Sequence, residues 1–148
     1  MRTVPYLLNV PIPINQNVMN GKYILIVEDE ELVAASYEMA LSLLGLACCV
    51  VASGEQALDR VKERAPHAVV LDVQLGEGID GIETARRMRE LGAWPIVLTT
   101  GGDLDEVQEQ TQSLGRIAYL IKPTAMRDLV QLIAQADSSP GDDAATRA

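Results

Sequence analysis

Tyr23-Ile24-Leu25-Ile26-Val27-Glu28-Asp29 decides the fold, because a short apolar run without interruption ends there in two carboxylates. The same form returns at Ala68-Val69-Val70-Leu71-Asp72 and, ending in a cation, at Ile117-Ala118-Tyr119-Leu120-Ile121-Lys122. Short runs of β-branched and aliphatic residues suit strands buried on both faces, and such strands belong to parallel sheets covered by helices. In an open α/β sheet, ligands bind beyond the carboxyl ends of the strands, where the chain order switches. Acids from two strand ends and an ammonium from a third can converge there, and together they suit a divalent cation and a phosphoryl group.

Outward from these runs, strand-like and helix-like segments alternate five times, the signature of βαβ units. Strands are expected at about 23–27, 47–52, 68–73, 95–100 and 117–121, and helices at about 31–44, 54–64, 82–91, 104–114 and 125–136. Ser53 with Gln56, and Asp103 with Glu106, have capping-box spacing, in which the first side chain takes an orphan backbone N–H and the later one reaches back. Gly45, Gly92 and Gly115 stand where a left-handed C-cap is wanted. In the last helix Leu129, Leu132, Ile133 and Ala136 share one face, which should pack on the sheet. No internal repeat exists beyond the alternation itself.

A chain of 148 residues, 48% hydrophobic, suits one domain with a proper core. Its 12 basic and 21 acidic residues give a net charge of -9, which argues against direct nucleic-acid binding, since phosphate contacts need a basic stripe. Cys48 and Cys49 are adjacent, so in a strand they face opposite sides and make no metal site; two buried core thiols in a reducing cytoplasm are expected. Residues 1–20 are apolar but broken by three prolines, at Pro5, Pro11 and Pro13. That pattern excludes a membrane-spanning helix and lacks the uninterrupted core of a signal peptide, so a cytoplasmic location is expected. Met19 precedes the first strand, and the extension reads as a start placed too early or an irregular arm rather than a docking peptide. The stretch 137–148 is small, polar and acidic and reads as a disordered tail, leaving 21–136 as the domain.

Ile24-Leu-Ile-Val-Glu28-Asp29-Glu30, Val69-Val-Leu-Asp72, Pro95-Ile-Val-Leu-Thr-Thr100-Gly101 and Tyr119-Leu-Ile-Lys122-Pro123, in that order, resemble the motifs of response regulator receiver domains, the phosphorylated partners in two-component signalling. No single motif is specific, but all four in sequence at strand ends are. The resemblance spans about 21–136 and implies a flavodoxin-like doubly wound (βα)5 fold with a five-stranded parallel sheet in the order 2-1-3-4-5.

The chemistry of each position agrees with that resemblance. Asp72 would attack a phosphoryl group and keep it as an acyl phosphate. Two anions repel, so Mg²⁺, a hard ion that prefers oxygen ligands and retains water, is the expected cofactor. Asp29 and Asp72 offer carboxylates to it, and Glu28, where the family more often has aspartate, contacts it through water. By resemblance the backbone carbonyl of Gln74 completes the protein's share. Lys122 stabilises charge on the phosphoryl oxygens, and a cis bond to Pro123 would fit the family. Thr100 rather than Thr99 is the expected hydroxyl by the family's spacing, with Thr99 facing the packed side, and Gly101 leaves room beside the phosphate. Tyr119 matches the family's aromatic switch position, with Thr100 as the other moving part. His67 reads as an exposed turn residue and Trp94 as packing at a strand entry.

Two departures stand out. The loop between Asp72 and Asp80 is one residue longer than the commonest form, with Gly76 where proline is usual, and should be more mobile. Thr124 replaces the usual phenylalanine and the last helix lacks an arginine-rich face, which removes the basis for expecting dimerisation through it. The expected function is a stand-alone receiver that accepts a phosphoryl group from a sensor histidine kinase or histidine phosphotransfer protein and switches binding to an unknown downstream protein. It would catalyse only its own phosphorylation and dephosphorylation. The alternatives are an aspartyl-nucleophile phosphatase, against which Gln74 stands where a second acid is needed, and a phosphate-independent interaction module, against which the intact acid, threonine and lysine positions argue.

Overall fold

The computed structural model describes residues 23–137; the extension at 1–20 and the tail beyond Asp137 lie outside the described residues. Strands β1 (Ile24–Val27), β2 (Cys48–Val51), β3 (Ala68–Asp72), β4 (Ile96–Thr100) and β5 (Ile117–Ile121) form one parallel sheet in the order β2-β1-β3-β4-β5. This is the doubly wound order expected. Helices α1 (Glu31–Ser42), α2 (Gly54–Glu63), α3 (Gly81–Arg89), α4 (Leu104–Thr111) and α5 (Met126–Asp137) connect and follow the strands. Every residue of β1, β3 and β4 is buried, as their unbroken apolar content requires, whereas the edge strands β2 and β5 are mostly half-buried.

Alternation along the strands divides the core in two. Leu25, Val27, Val69, Leu71, Ile96 and Leu98 pack with α2, α3 and α4 through Ala57, Val61, Ala85, Met88 and Val107. Ile24, Ile26, Val70 and Val97 face the other way, against Tyr37 and Leu41 of α1 and Leu129 and Ile133 of α5. Cys48 and Cys49 point to opposite sides, as expected, but both are only half-buried; burial pushes the Cys48 thiol up to about 11.

The helix ends differ in detail from the expectation. Ser53 caps α2 by accepting the Gln56 N–H, yet Gln56 reaches back to the Ala52 N–H rather than to that of Ser53. Asp103 caps α4 through the N–H groups of Asp105 and Glu106, while Glu106 accepts from Gln110 instead of reaching back. α4 stops at Thr111, and Gln112–Leu114 tighten into a 3₁₀ turn before Gly115 at φ +70°. Gly45 has the positive φ expected of it, at +85°, but Gly92 is absent from the positive-φ glycines; it is small because a Cβ would strike the Trp94 ring. His67 is half-buried rather than exposed, since its N–H is drawn to the Tyr23 carbonyl at 2.7 Å as the chain enters β3.

Two contacts set the strand ends that matter below. Arg89 of α3 donates to the carbonyls of Leu114 at 2.7 Å and Gly115 at 2.8 Å, fastening the turn that launches β5. Burial of this guanidinium, with Arg116 nearby, pushes it down to about 10. Gly81 opens α3 with its N–H on the Val73 carbonyl at 2.9 Å, and a Cβ there would overlap the Asp72 carbonyl. Gly81→Ala should therefore lower stability by about 1–3 kcal/mol, the range for overpacking, seen as a reduced urea midpoint with an unchanged m-value.

Candidate active site at the carboxyl ends of the strands

Register brings the charged residues together. Val27 pairs with Leu71, Asp72 with Thr99, and Thr100 with Ile121, so β1, β3, β4 and β5 end at nearly one level. Continuing the alternation, Glu28, Asp72, Thr99 and Lys122 leave the sheet on the α1 and α5 side, where Ile26, Val70, Val97 and Leu120 lie. Tyr119 belongs to the opposite cluster, toward α4.

Lys122 Nζ lies 3.1 Å from Asp72 Oδ2 and 3.1 Å from Glu28 Oε1. Glu28 and Asp72 are each 2% exposed. Their remaining oxygens are also held: Glu28 Oε2 accepts the Glu30 N–H and Asp72 Oδ1 accepts the Gln74 N–H, both at 3.1 Å. Asp29 is exposed, and its Oδ2 accepts the Gly76 N–H at 2.9 Å. The loop expected to be mobile thus carries a tether to Asp29, and a second one where Glu55 accepts the Ile79 N–H at 3.0 Å.

Burial raises the pKa of Glu28 above the usual glutamate value, and the neighbouring Asp72 adds to this against the Glu30 and Lys122 hydrogen bonds. Burial works against the Lys122 charge as well, but its hydrogen bonds to Glu28 and Asp72 outweigh that, and its pKa is raised. One ammonium therefore serves two buried carboxylates.

Carboxylate oxygens of Glu28, Asp29 and Asp72 lie within 4.8 Å of one another. An all-oxygen set with an exposed member fits a hard divalent ion that keeps part of its water, and Mg²⁺ answers that description. The direct bond from Lys122 to Glu28 gives that carboxylate a partner the sequence did not indicate, since its expected role was contact through water.

Thr100 is fully buried; its Oγ1 accepts from Gln74 Nε2 at 3.3 Å and from the Gly102 N–H at 3.0 Å. Thr99 is equally buried, and among the described residues neither its Oγ1 nor Trp94 Nε1 at the strand entry has a hydrogen-bond partner. Tyr119 is half-buried, its hydroxyl 2.7 Å from Thr111 Oγ1, which bonds the Val107 carbonyl. The Lys122-Pro123 bond is cis. Sequence reasoning missed the Gln74 side chain, named only for its carbonyl, and Thr111. The only signal for Thr111 is a hydroxyl four residues after Val107 on the apolar face of α4.

Residues 24–134 match the family model described as the response regulator receiver domain. The chain belongs to this family. The transcriptional regulatory protein AfsQ1 of Streptomyces coelicolor is 35% identical over 106 residues, covering 72% of this chain and 47% of that protein. The response regulator MprA of Mycobacterium sp. strain KMS is 36% identical over 110 residues, covering 72% of this chain and 46% of that protein. The chain thus matches about half the length of these curated relatives. Among solved structures, a response regulator receiver protein from Sinorhizobium medicae superposes with a TM-score of 0.72 at 27% identity, covering 82% of this chain and 98% of that one. The N-terminal domain of a response regulator/sensory box/GGDEF protein from Carboxydothermus hydrogenoformans gives 0.72 at 28%, with 79% and 94% covered.

A receiver site of this kind stores a cost in its anions. With the Glu28 pKa raised, the folded state holds that proton more readily than the unfolded chain, so the contribution of Glu28 to stability falls as pH rises through its folded value. Glu28→Gln removes the cost. In metal-free buffer it should be more stable than wild type at pH 7, with the margin shrinking as pH falls toward the ordinary glutamate range; urea unfolding across that interval measures it.

Proposed function

We propose that this receiver accepts a phosphoryl group on Asp72 from a phosphohistidine of a sensor histidine kinase or histidine phosphotransfer protein. The observation that carries the reading is Lys122 Nζ at 3.1 Å from a buried Asp72 carboxylate at the strand ends. A carboxylate oxygen of Asp72 forms the new bond to phosphorus while the phosphorus–nitrogen bond of the donor breaks and its imidazole leaves. Little other covalent chemistry is asked of the protein, so its task is positioning and charge stabilisation.

Glu28, Asp29, Asp72 and the backbone carbonyl of Gln74 would hold Mg²⁺. That ion, when bound, offsets the repulsion between carboxylate and phosphoryl oxygens. Lys122 would neutralise charge on the phosphoryl oxygens, and Thr100 would donate to one of them. The protein then acts as a phosphoacceptor in a phosphorelay, catalysing only its own phosphorylation and hydrolysis. The domain at 21–136 works in the cytoplasm in this reading. No helix among the described residues is long and apolar enough to cross a membrane.

The output is a change of partner binding, to a downstream protein rather than directly to nucleic acid, since the chain carries a net charge of -9. Thr100 moves toward the phosphoryl group and Tyr119 shifts into the space it leaves, altering the surface of α4, β5 and α5. Contacts through Lys122 and Thr100 that exist only in the phosphorylated state bias such an equilibrium by about 1–3 kcal/mol.

Incubation with acetyl phosphate and Mg²⁺ should add the mass of one phosphoryl group, and chelation or Asp72→Asn should prevent it; addition that persists in Asp72→Asn sinks the assignment. Asp29→Ala should need a higher Mg²⁺ concentration for the same extent of labelling. Hydrogen exchange with and without beryllofluoride should change across 103–136, and a change confined to the loop after Asp72 would place the switch elsewhere.

A further inference from the structure

The carboxamide of Gln74 crosses from the loop after β3 to the end of β4. Its Nε2 donates to Thr100 Oγ1 and its Oε1 accepts the Gly101 N–H, both at 3.3 Å. The Gly101 N–H can only donate, which assigns the amide orientation. Thr100 Oγ1 accepts a second bond from the Gly102 N–H at 3.0 Å. A threonine hydroxyl has two lone pairs and one proton. Here both bonds use it as acceptor, and no acceptor for its proton appears among the described residues.

The placement is selective. Thr100 is 0% exposed while Gln74 is exposed, so the strap lies on the outer side of the hydroxyl. The Gln74 N–H meanwhile donates to Asp72 Oδ1 at 3.1 Å, so one residue touches both the carboxylate and the hydroxyl. Gly102 leaves room for this, since a Cβ there would come within 3.1 Å of Gln74 Nε2.

We infer that the Gln74 side chain is a positioning residue that acts through Thr100, filling a lone pair so that the hydroxyl proton is presented to a phosphoryl oxygen on Asp72. The inference rests on the phosphoacceptor reading. Without the carboxamide, Thr100 keeps its hydroxyl, but the rotor is free to donate to water that replaces Gln74. The loss is one of orientation, and it exists only while residue 100 carries a hydroxyl.

A double-mutant cycle tests this, with beryllofluoride and Mg²⁺ as the probe and ¹⁹F NMR titration of the full chain as the readout. Gln74→Met should weaken beryllofluoride binding about two- to tenfold, the net worth of one hydrogen bond. The same loss should appear in the Thr100→Ser background, which keeps the hydroxyl, and vanish in Thr100→Val. An equal loss in Thr100→Val, or none with Thr100 present, overturns the role of Gln74. A wild-type protein that fails to bind beryllofluoride, or binds it equally well as Asp72→Asn, overturns the phosphoacceptor reading and this inference with it.

Discussion

Lys122 between Glu28 and Asp72, 3.1 Å from each, exists only because β1, β3 and β5 end together on one side of a parallel sheet. Its ammonium answers two carboxylates taken out of water, a placement that costs several kcal/mol per unpaired ion. Everything that aims the lysine therefore matters to the acids: the register of Thr100 with Ile121, the bond from the Lys122 N–H to the Thr100 carbonyl, and Arg89 clamping the turn before β5. None of these residues need be reactive. Their function is to prevent the charge at the strand ends from being solved by local unfolding.

The site also straddles the sheet. Glu28, Asp72 and Lys122 leave it toward α1 and α5, whereas Tyr119 packs toward α4. Between the two sides, at the carboxyl edge, Gln74, Thr100, Gly101 and Gly102 are joined by hydrogen bonds of 3.0 to 3.3 Å. Tyr119 is in turn tied through Thr111 to the Val107 carbonyl inside α4. A movement of Tyr119 would therefore either break this bond or carry the last turn of α4 with it.

Much of this was legible in the sequence because burial on both faces leaves a coarse mark. The runs ending at Asp29, Asp72 and Lys122 could be read as strands without neighbours, and the charges after them could only lie at the carboxyl edge. What escaped depends on which partner a side chain or backbone group finds among several within reach, near in the chain or far from it. Gly92 looked like a helix cap, yet it is small because Trp94 lies against it. Gln56 and Glu106 had capping-box spacing but found other partners. The Gln74 carboxamide has no period or motif to announce it, since its orientation comes from the N–H of Gly101, 27 residues away.

The individual oxygens divide the labour of the acid cluster. Glu28 gives one oxygen to Lys122 and the other to the Glu30 N–H; Asp72 gives one to Lys122 and the other to the Gln74 N–H. Asp29 accepts one bond, from the loop amide of Gly76, and alone of the three has an exposed carboxylate with an oxygen that takes no donor among the described residues. A carboxylate oxygen has more than one lone pair, so these bonds orient the acids without exhausting them. The two buried acids are held in place by fixed donors and by the lysine, which leaves the side facing Asp29 as the open approach for a cation. Asp29 then has a second consequence: because the same carboxylate tethers Gly76, it ties the loop that follows Asp72 to the open side of the acid cluster, beside the loop's other tether at Glu55.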